Sequence, residues 1–523
     1  MKNEGAAENR APLKIGGSRT VAKNSFLATL DLLAGYVGNL FASIAVARAL
    51  GPTKLGYYNY VLWLCSITAM FTFVGAPQAN RKYLAEYLSQ GEFGTGRAIL
   101  RATFRFQFWL GCIVVGAGLA AVFTAVPPEH RLFAALAVLS LMPSILQAIP
   151  TSANAAVEDF GANVLPSVIS TMVNLAGTAL TLLLDWELVG LAGSLLASRI
   201  VDSSLRYLLY RRRFAWLRAE RLTPLTPELK RRVRRFFTQS VVLQALNTVV
   251  WDRSELFFLK RFCDIREVAF YSLSFNITQQ LLLLPRSFAW AAGANVILRS
   301  GRDSGDAARI TGVVLRYLAL IALPMTFGVA ALSGPAISLV YGRQYLPAIP
   351  VLTLLAVFCA AKLLILPAQD FLLASDRQDV LVKWISGAGA LNIVMDFLLI
   401  PSGGAWGAAI ANSVAQTVAA IGIVASTTLT LKAPLLSRGL AKIFISAAAM
   451  AIPAAVLRLT LPPLFAVIAG IPLGAALYLL LLRWTRSLEN ADGQRLKVTA
   501  SQLPGPVRHL YRRTLRFLVP DAA

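Results

Sequence analysis

The stretch NTVVWDRSELFFL, residues 247–259, places Asp252, Arg253 and Glu255 in a run that otherwise reads as a hydrocarbon-spanning helix. Charge at membrane depth is expensive and marks an ion or substrate pathway by default. Other charges share this setting: Arg199, Arg286, Arg316 and Lys362 among the cations, Asp31, Asp202, Asp370 and Asp396 among the acids. Carboxylates there can hold a proton or a hard cation, or accept hydrogen bonds from sugar hydroxyls. Guanidinium and ammonium groups can replace the hydration of a phosphate.

On a helical wheel Ser240, Gln244, Asn247, Thr248, Trp251 and Glu255 fall within an arc of roughly 100°, with Asp252 on its flank and Arg253 turned away. Similar polar seams run through Asn24, Asp31, Gly35 and Asn39, through Ser167, Thr171, Asn174 and Thr178, and through Ser272, Asn276, Gln279 and Arg286, where Pro285 predicts a kink. Lys362 and Gln369 share a face, with Asp370 beside it. Such seams are poorly tolerated against lipid, so the pattern predicts one wet cavity lined from both halves of the chain. Plainer roles compete for several residues. Arg199 and Asp202 stand three apart and can neutralise each other. Arg316 and Asp396 lie near span ends, where snorkelling is open to them. Asn174 and Asn392 can serve as interhelical hydrogen-bond glue. Arg286 and Lys362 lack a sequence-local partner and are the leading candidates for cargo contact. Five intramembrane cations against six acids leave the sign of the cargo open.

The elements that must position these groups are membrane helices. The chain has 523 residues, 56% hydrophobic and 15% charged, whereas a soluble chain carries about a quarter charged residues. Its apolar residues come in blocks near the ~20 residues that one crossing needs, without the short alternating segments of a β-barrel. The expectation is an all-α polytopic membrane protein of about fourteen spans, near 24–47, 57–80, 104–126, 132–154, 164–184, 187–209, 236–259, 270–297, 310–332, 347–374, 380–400, 405–431, 440–460 and 463–482. The polar first 20 residues do not form a cleavable signal peptide.

Lys and Arg set the orientation. With the N-terminus inside, inner segments hold 37 of them and outer segments 8, which predicts cytoplasmic termini. The same bias accounts for the net charge of +24 without nucleic acid. The run KRRVRRFF (230–237) reads as a topology anchor on anionic lipid.

The chain also repeats. RALGPTKLGYYNYV (48–61) aligns with RFCDIREVAFYSLS (261–274) at an offset of 213, and IPTSANAAVED (149–159) with LPAQDFLLASD (366–376) at 217. Asn174 pairs with Asn392 and Gly190 with Gly407. An even number of spans per repeat makes the halves parallel. The resulting order is a basic tail (1–23), an N-lobe (24–209), a basic linker (210–235), a C-lobe (236–431), two further spans (432–485) and a basic tail (486–523). A doubled bundle of this kind suits alternating access.

Other chemistries are poorly supported. The four cysteines are scattered in apolar context and the two histidines lie outside the spans, so no metal or nucleophile site is expected. Neither a Gly-rich phosphate loop nor a nucleophile elbow occurs, which argues against an enzyme such as a glycosyltransferase or polymerase. No cofactor is expected. A structural scaffold would leave the polar seams unexplained.

Two stretches carry a family resemblance. LGPTKLGYYNYV (50–61) resembles the short outer loop and helix start of Wzx-like polysaccharide flippases, and LNIVMDFLLIPSGGAWGAAIAN (391–412) their eleventh-to-twelfth helix turn. DRSELFFLKRF…REVAFYSLSF (252–275) fits the seventh-helix pattern, with Ala269 in place of the usual Gly. The resemblance spans roughly residues 20–485, within the multidrug/oligosaccharidyl-lipid/polysaccharide exporter superfamily. It implies transport of undecaprenyl-pyrophosphate-linked oligosaccharide from the inner to the outer leaflet of the bacterial inner membrane, with a coupling ion, H+ or Na+. It implies that spans thirteen and fourteen line a groove for the lipid tail. On that reading Arg286, Lys362 and Arg199 contact diphosphate or acidic sugar, with Glu255, Asp252, Asn276, Gln279, Asn39 and Asn174 also lining the cavity. Asp31, Asp252, Glu255 and Asp370 are the ion-coupling candidates. The protein is expected to work as a monomer, beside polysaccharide polymerase machinery. A MATE-like drug/cation antiporter and a lipid II flippase are the alternatives.

Overall fold

The computed structural model describes residues 18–157, 159, 161–251, 254–283, 285, 286, 289, 304–375, 377–431, 435, 438–488 and 505–519. Helix is the regular structure of the described residues, with no strand among them. Among the described residues, ten helices are long and apolar enough to cross a membrane; the chain is a multi-pass helical membrane protein. It divides into two compact units, Met1–Thr248 and Val249–Ala523, a division that falls inside the seventh expected span.

The first unit holds α1 (Ser18–Ser89), α2 (Phe93–Ala125), α3 (Pro128–Leu139), α4 (Leu141–Ala156), α5 (Gly161–Leu183), α6 (Glu187–Arg213), α7 (Ala215–Ala219) and most of α8 (Pro227–Trp251). α1 is two helices meeting at Gly51, whose φ of 69° and ψ of 173° suit glycine, with Pro52 opening the second piece. α1 therefore supplies the first two expected crossings. α5 and α6, divided in sequence by DWE alone, are separate helices, and the turn between them sets Asp185 and Glu187 at positive φ.

The second unit begins with α9 (Glu255–Phe262) and α10 (Ile265–Leu281). It continues through α11 (Ser304–Val340), α12 (Ala348–Leu364), α13 (Leu366–Ala374), α14 (Gln378–Leu431), α15 (Arg438–Thr460), α16 (Pro463–Trp484) and α17 (Gly505–Leu518). α14 repeats the device of α1: its 54 residues bend at Gly404, φ 54° and ψ −137°. α15 and α16, which stand outside the repeat, pack on α11 through Ala319, Leu323, Ile443, Ala447, Met450 and Tyr478. The Tyr478 hydroxyl donates to the Leu320 carbonyl at 3.0 Å, satisfying a polar tip that the apolar bundle would otherwise strand. The basic C-terminal tail is not wholly irregular. Leu515 of α17 is buried, and the Arg483 guanidinium lies 4.5 Å from the Phe517 ring.

The internal repeat has a physical counterpart. A Cβ on Gly190 would stand 2.5 Å from Thr181 Cγ2, and one on Gly407 2.3 Å from the Leu399 carbonyl oxygen. Both glycines let a helix start pack against the end of the preceding helix. Lys54 and Glu267, 213 residues apart in sequence, each tie down this turn in their own unit. Lys54 Nζ pairs with Glu187 Oε1 at 2.5 Å. The Ala405 backbone N–H donates to Glu267 Oε2 at 2.8 Å, so a carboxylate caps the second piece of α14. Ala269, which replaces the family's glycine, sits fully buried within α10 rather than in a turn.

Gly404→Ala is expected to destabilise the second unit by about 1–3 kcal/mol, because it strains the backbone and sets a methyl against the capping carboxylate. That Cβ would lie 2.8 Å from Glu267 Oε2. Gly403→Ala, with open space around it, is the matched control. Thermal unfolding of the purified proteins compares them.

Candidate functional site

The second unit buries a polar cluster built by three helices. α9 contributes Glu255 at its first turn and α10 contributes Tyr271. The first piece of α14 contributes Asn392 and Asp396, one turn apart on one face. The second piece, returned by the Gly404 bend, contributes Asn412 and Gln416. Glu255, Asn392 and Asp396 are all 0% exposed.

Amide donors hold the carboxylates. Asn412 Nδ2 donates to Glu255 Oε1 at 2.6 Å, and Gln416 Nε2 donates to Asn412 Oδ1 at 2.8 Å, fixing which way the asparagine faces. Asn392 Nδ2 lies 3.2 Å from Glu255 Oε1, 3.1 Å from Asp396 Oδ2 and 3.4 Å from Ser254 Oγ. One amide with two hydrogens thus serves three acceptors, two of them carboxylates. No Lys or Arg pairs with either acid among the described residues. Glu255 Oε2, Asp396 Oδ1 and Asn392 Oδ1 are buried without a hydrogen-bond partner among the described residues.

Two buried carboxylates sharing one amide are costly as bare anions. Orphaned buried acceptors need a reason. A set of carboxylate and amide oxygens without nitrogen or sulfur ligands is the donor set for a hard monovalent or divalent cation, or for a proton shared between the acids. The donor set of the cluster thus suits positive charge. No group of three or more His, Cys, Asp or Glu side chains suited to a metal occurs among the described residues.

The remaining expected site residues are dispersed. Arg286 is half-buried, and its Nη2 donates to Gln279 Oε1 at 3.3 Å. Asn276 is half-buried on α10. Lys362 is half-buried in the last turn of α12, which packs on α10. Half-buried Asp370 lies in α13, which follows α12 after Ile365. Asn174 is half-buried on α5, and Arg199 is exposed on α6. Asp252 and Arg253 lie outside the described residues, as do the side chains of Asp31 and Asn39.

Two plain roles expected from spacing need correction. Asp202 forms its ion pair with Arg206, one helical turn on, at 2.8 Å, rather than with Arg199. Asp396 does not snorkel: it is fully buried. Asn392 does serve as interhelical hydrogen-bond glue, joining α14 to Glu255 of α9, and it also reaches Asp396. Sequence reasoning missed Asn412 and Gln416, each a lone amide in an alanine-rich run.

Residues 21–294 match the family model described as polysaccharide biosynthesis protein. A stretch of 88 residues is 32% identical to the teichuronic acid biosynthesis protein TuaB of Bacillus subtilis (strain 168), covering 17% of this chain and 18% of that protein. Among solved structures, the fold is similar to lipid II flippase MurJ in an inward closed conformation. That match has a TM-score of 0.68 at 15% identity, over 87% of this chain and 98% of the other. It is also similar to an inward-facing multidrug resistance MATE family transporter of the MOP superfamily, with a TM-score of 0.63 at 15% identity, over 76% and 94% of the two chains.

Proposed function

The chain belongs to the polysaccharide biosynthesis protein family, and from that premise we propose that it is a flippase for lipid-linked oligosaccharide. It carries undecaprenyl-pyrophosphate-linked units from the inner to the outer leaflet of a bacterial inner membrane, by alternating access, with both termini cytoplasmic. The observation that carries the transport reading is the pair of fully buried carboxylates, Glu255 and Asp396, held by amides and by no described cation. Glu255 Oε2, Asp396 Oδ1 and Asn392 Oδ1, which have no hydrogen-bond partner among the described residues, are the acceptors offered to a proton or Na+. Uptake there changes the charge in the core of the second unit by one, enough to bias a two-state protein if the states bind the ion unequally.

The cargo reading rests on the family and on chemistry. A diphosphate cannot cross hydrocarbon unaided, and Arg or Lys must stand in for its water. Arg286 and Lys362 take that role, joined by Arg199, while Asn276, Gln279, Asn174 and Asn39 meet sugar hydroxyls. Asp31, Asp252 and Asp370 are further ion-coupling positions. The protein works as a monomer beside polysaccharide polymerase machinery.

Deleting the gene tests this directly. Loss of surface polysaccharide, restored by a plasmid copy, is expected. Normal surface polysaccharide with new sensitivity to cationic drugs would replace the flippase reading with a drug antiporter.

A further inference from the structure

The first unit carries a basic pocket that the transport reading does not use. It has a volume of about 450 Å³ and is lined by Lys82, Tyr83, Glu228, Arg231, Arg232, Arg235, Phe236 and Gln239. Glu228, Arg231, Arg232, Arg235 and Gln239 recur at helical spacing on one face of α8. Lys82 and Tyr83 come from the far end of α1, distant in sequence from the KRRVRRFF run.

One side of the pocket is packed: Tyr83 and Ala79 of α1, Ile99 of α2 and Leu229 of α8 form a small buried core. Tyr83 meets Phe236 edge-on, with ring centroids 5.8 Å apart. Arg232 Nη1 pairs with Glu86 Oε1 at 2.8 Å, which fastens one wall. The Lys82 ammonium stands 4.6 Å from the centre of the Phe236 ring. Arg231 and Arg235 are exposed and have no hydrogen bond or ion pair among the described residues. Three cations without a carboxylate partner, Lys82, Arg231 and Arg235, thus converge on one concavity where Glu228 is the single lining acid.

A topology anchor needs only positive charge on one side of the membrane. It needs neither a concavity nor a lysine supplied from another helix. The geometry points to a binding site for a phosphate or diphosphate group, in which Arg231 and Arg235 offer planar donor pairs and Lys82 a point charge. Phe236 opens the apolar run of span seven, which sets the pocket at the level of lipid headgroups. Resting on the flippase reading for its source, the site is where the diphosphate head of the cargo docks before transport.

The test uses purified full-length protein in neutral detergent, titrated by calorimetry with farnesyl diphosphate. Binding is expected, and Arg231→Gln with Arg235→Gln should weaken it about tenfold or more. Lys82→Gln should weaken it as well. Arg211→Gln with Arg212→Gln removes equal charge outside the pocket and should leave binding as in the wild type. Pocket-dependent binding of inorganic pyrophosphate as tight as that of farnesyl diphosphate would assign the site to free phosphate. Displacement of farnesyl diphosphate by phosphatidylglycerol vesicles would assign it to bulk anionic lipid. Displacement by neither assigns it to the prenyl diphosphate head. All three outcomes retain a phosphate site. Absence of binding by any of these probes, wild-type binding by the pocket variants, or equal loss in the control pair overturns it. Because binding is read without transport, a protein that binds here yet moves no cargo sinks the flippase reading and leaves the pocket standing.

Discussion

Glu255→Gln is expected to leave the protein folded and to stop transport. Glutamine keeps the acceptor oxygen that takes 2.6 Å and 3.2 Å hydrogen bonds from Asn412 and Asn392. It removes only the negative charge, and with it the ability to hold a cation or to exchange a proton. Surface polysaccharide should fall to the level of the deletion strain at unchanged protein abundance. Glu255→Leu serves as the contrast. It strands buried amide donors, each costing about 1–3 kcal/mol, so that variant should lose abundance as well as activity. Immunoblots and surface polysaccharide analysis of the two strains separate the effects. Transport by Glu255→Gln at the wild-type level would remove the cluster from the mechanism.

The second large effect is expected from Arg286→Gln combined with Lys362→Gln. Both side chains are half-buried in the second unit, Arg286 beyond the end of α10 and Lys362 in the last turn of α12. Each charge-assisted contact to a diphosphate contributes about 1.5–3 kcal/mol, so losing two should abolish surface polysaccharide in cells. Single variants should retain partial output. Normal polysaccharide from the double variant, at normal protein abundance, would defeat the cargo assignment to these cations.

Much of the fold is legible in the sequence because hydrocarbon imposes few solutions. Apolar block length gave the helical class, and GPT (51–53) and PSGG (401–404) announced turns that Gly51 and Gly404 make at positive φ. The match of Gly190 with Gly407 reported a shared close approach. The site was legible only in part. Glu255 stands out as a charge in an apolar run. Asp396 looked terminal along its own span. Its burial comes from α9 and the returning half of α14, a tertiary fact that no local window contains. Asn412 and Gln416 have no periodic signal, since single amides among alanines look like packing residues until their partners are known. The basic pocket was hidden for the same reason: Lys82 meets Arg231 and Arg235 only through the packing of α1 on α8. In α17 the cations dominate the composition and mask the apolar face that buries Leu515.

Ion-driven movement of lipid-linked oligosaccharide, governed by Glu255, is most directly measured in proteoliposomes. Fluorescent undecaprenyl-diphosphate-linked oligosaccharide is incorporated into both leaflets, and its exposure is read by quenching from outside under an imposed proton or sodium gradient. Wild-type protein should move the lipid faster with one of the two gradients than without, and Glu255→Gln should match empty vesicles under both. A rate that ignores both gradients, or that survives Glu255→Gln unchanged, would contradict the account.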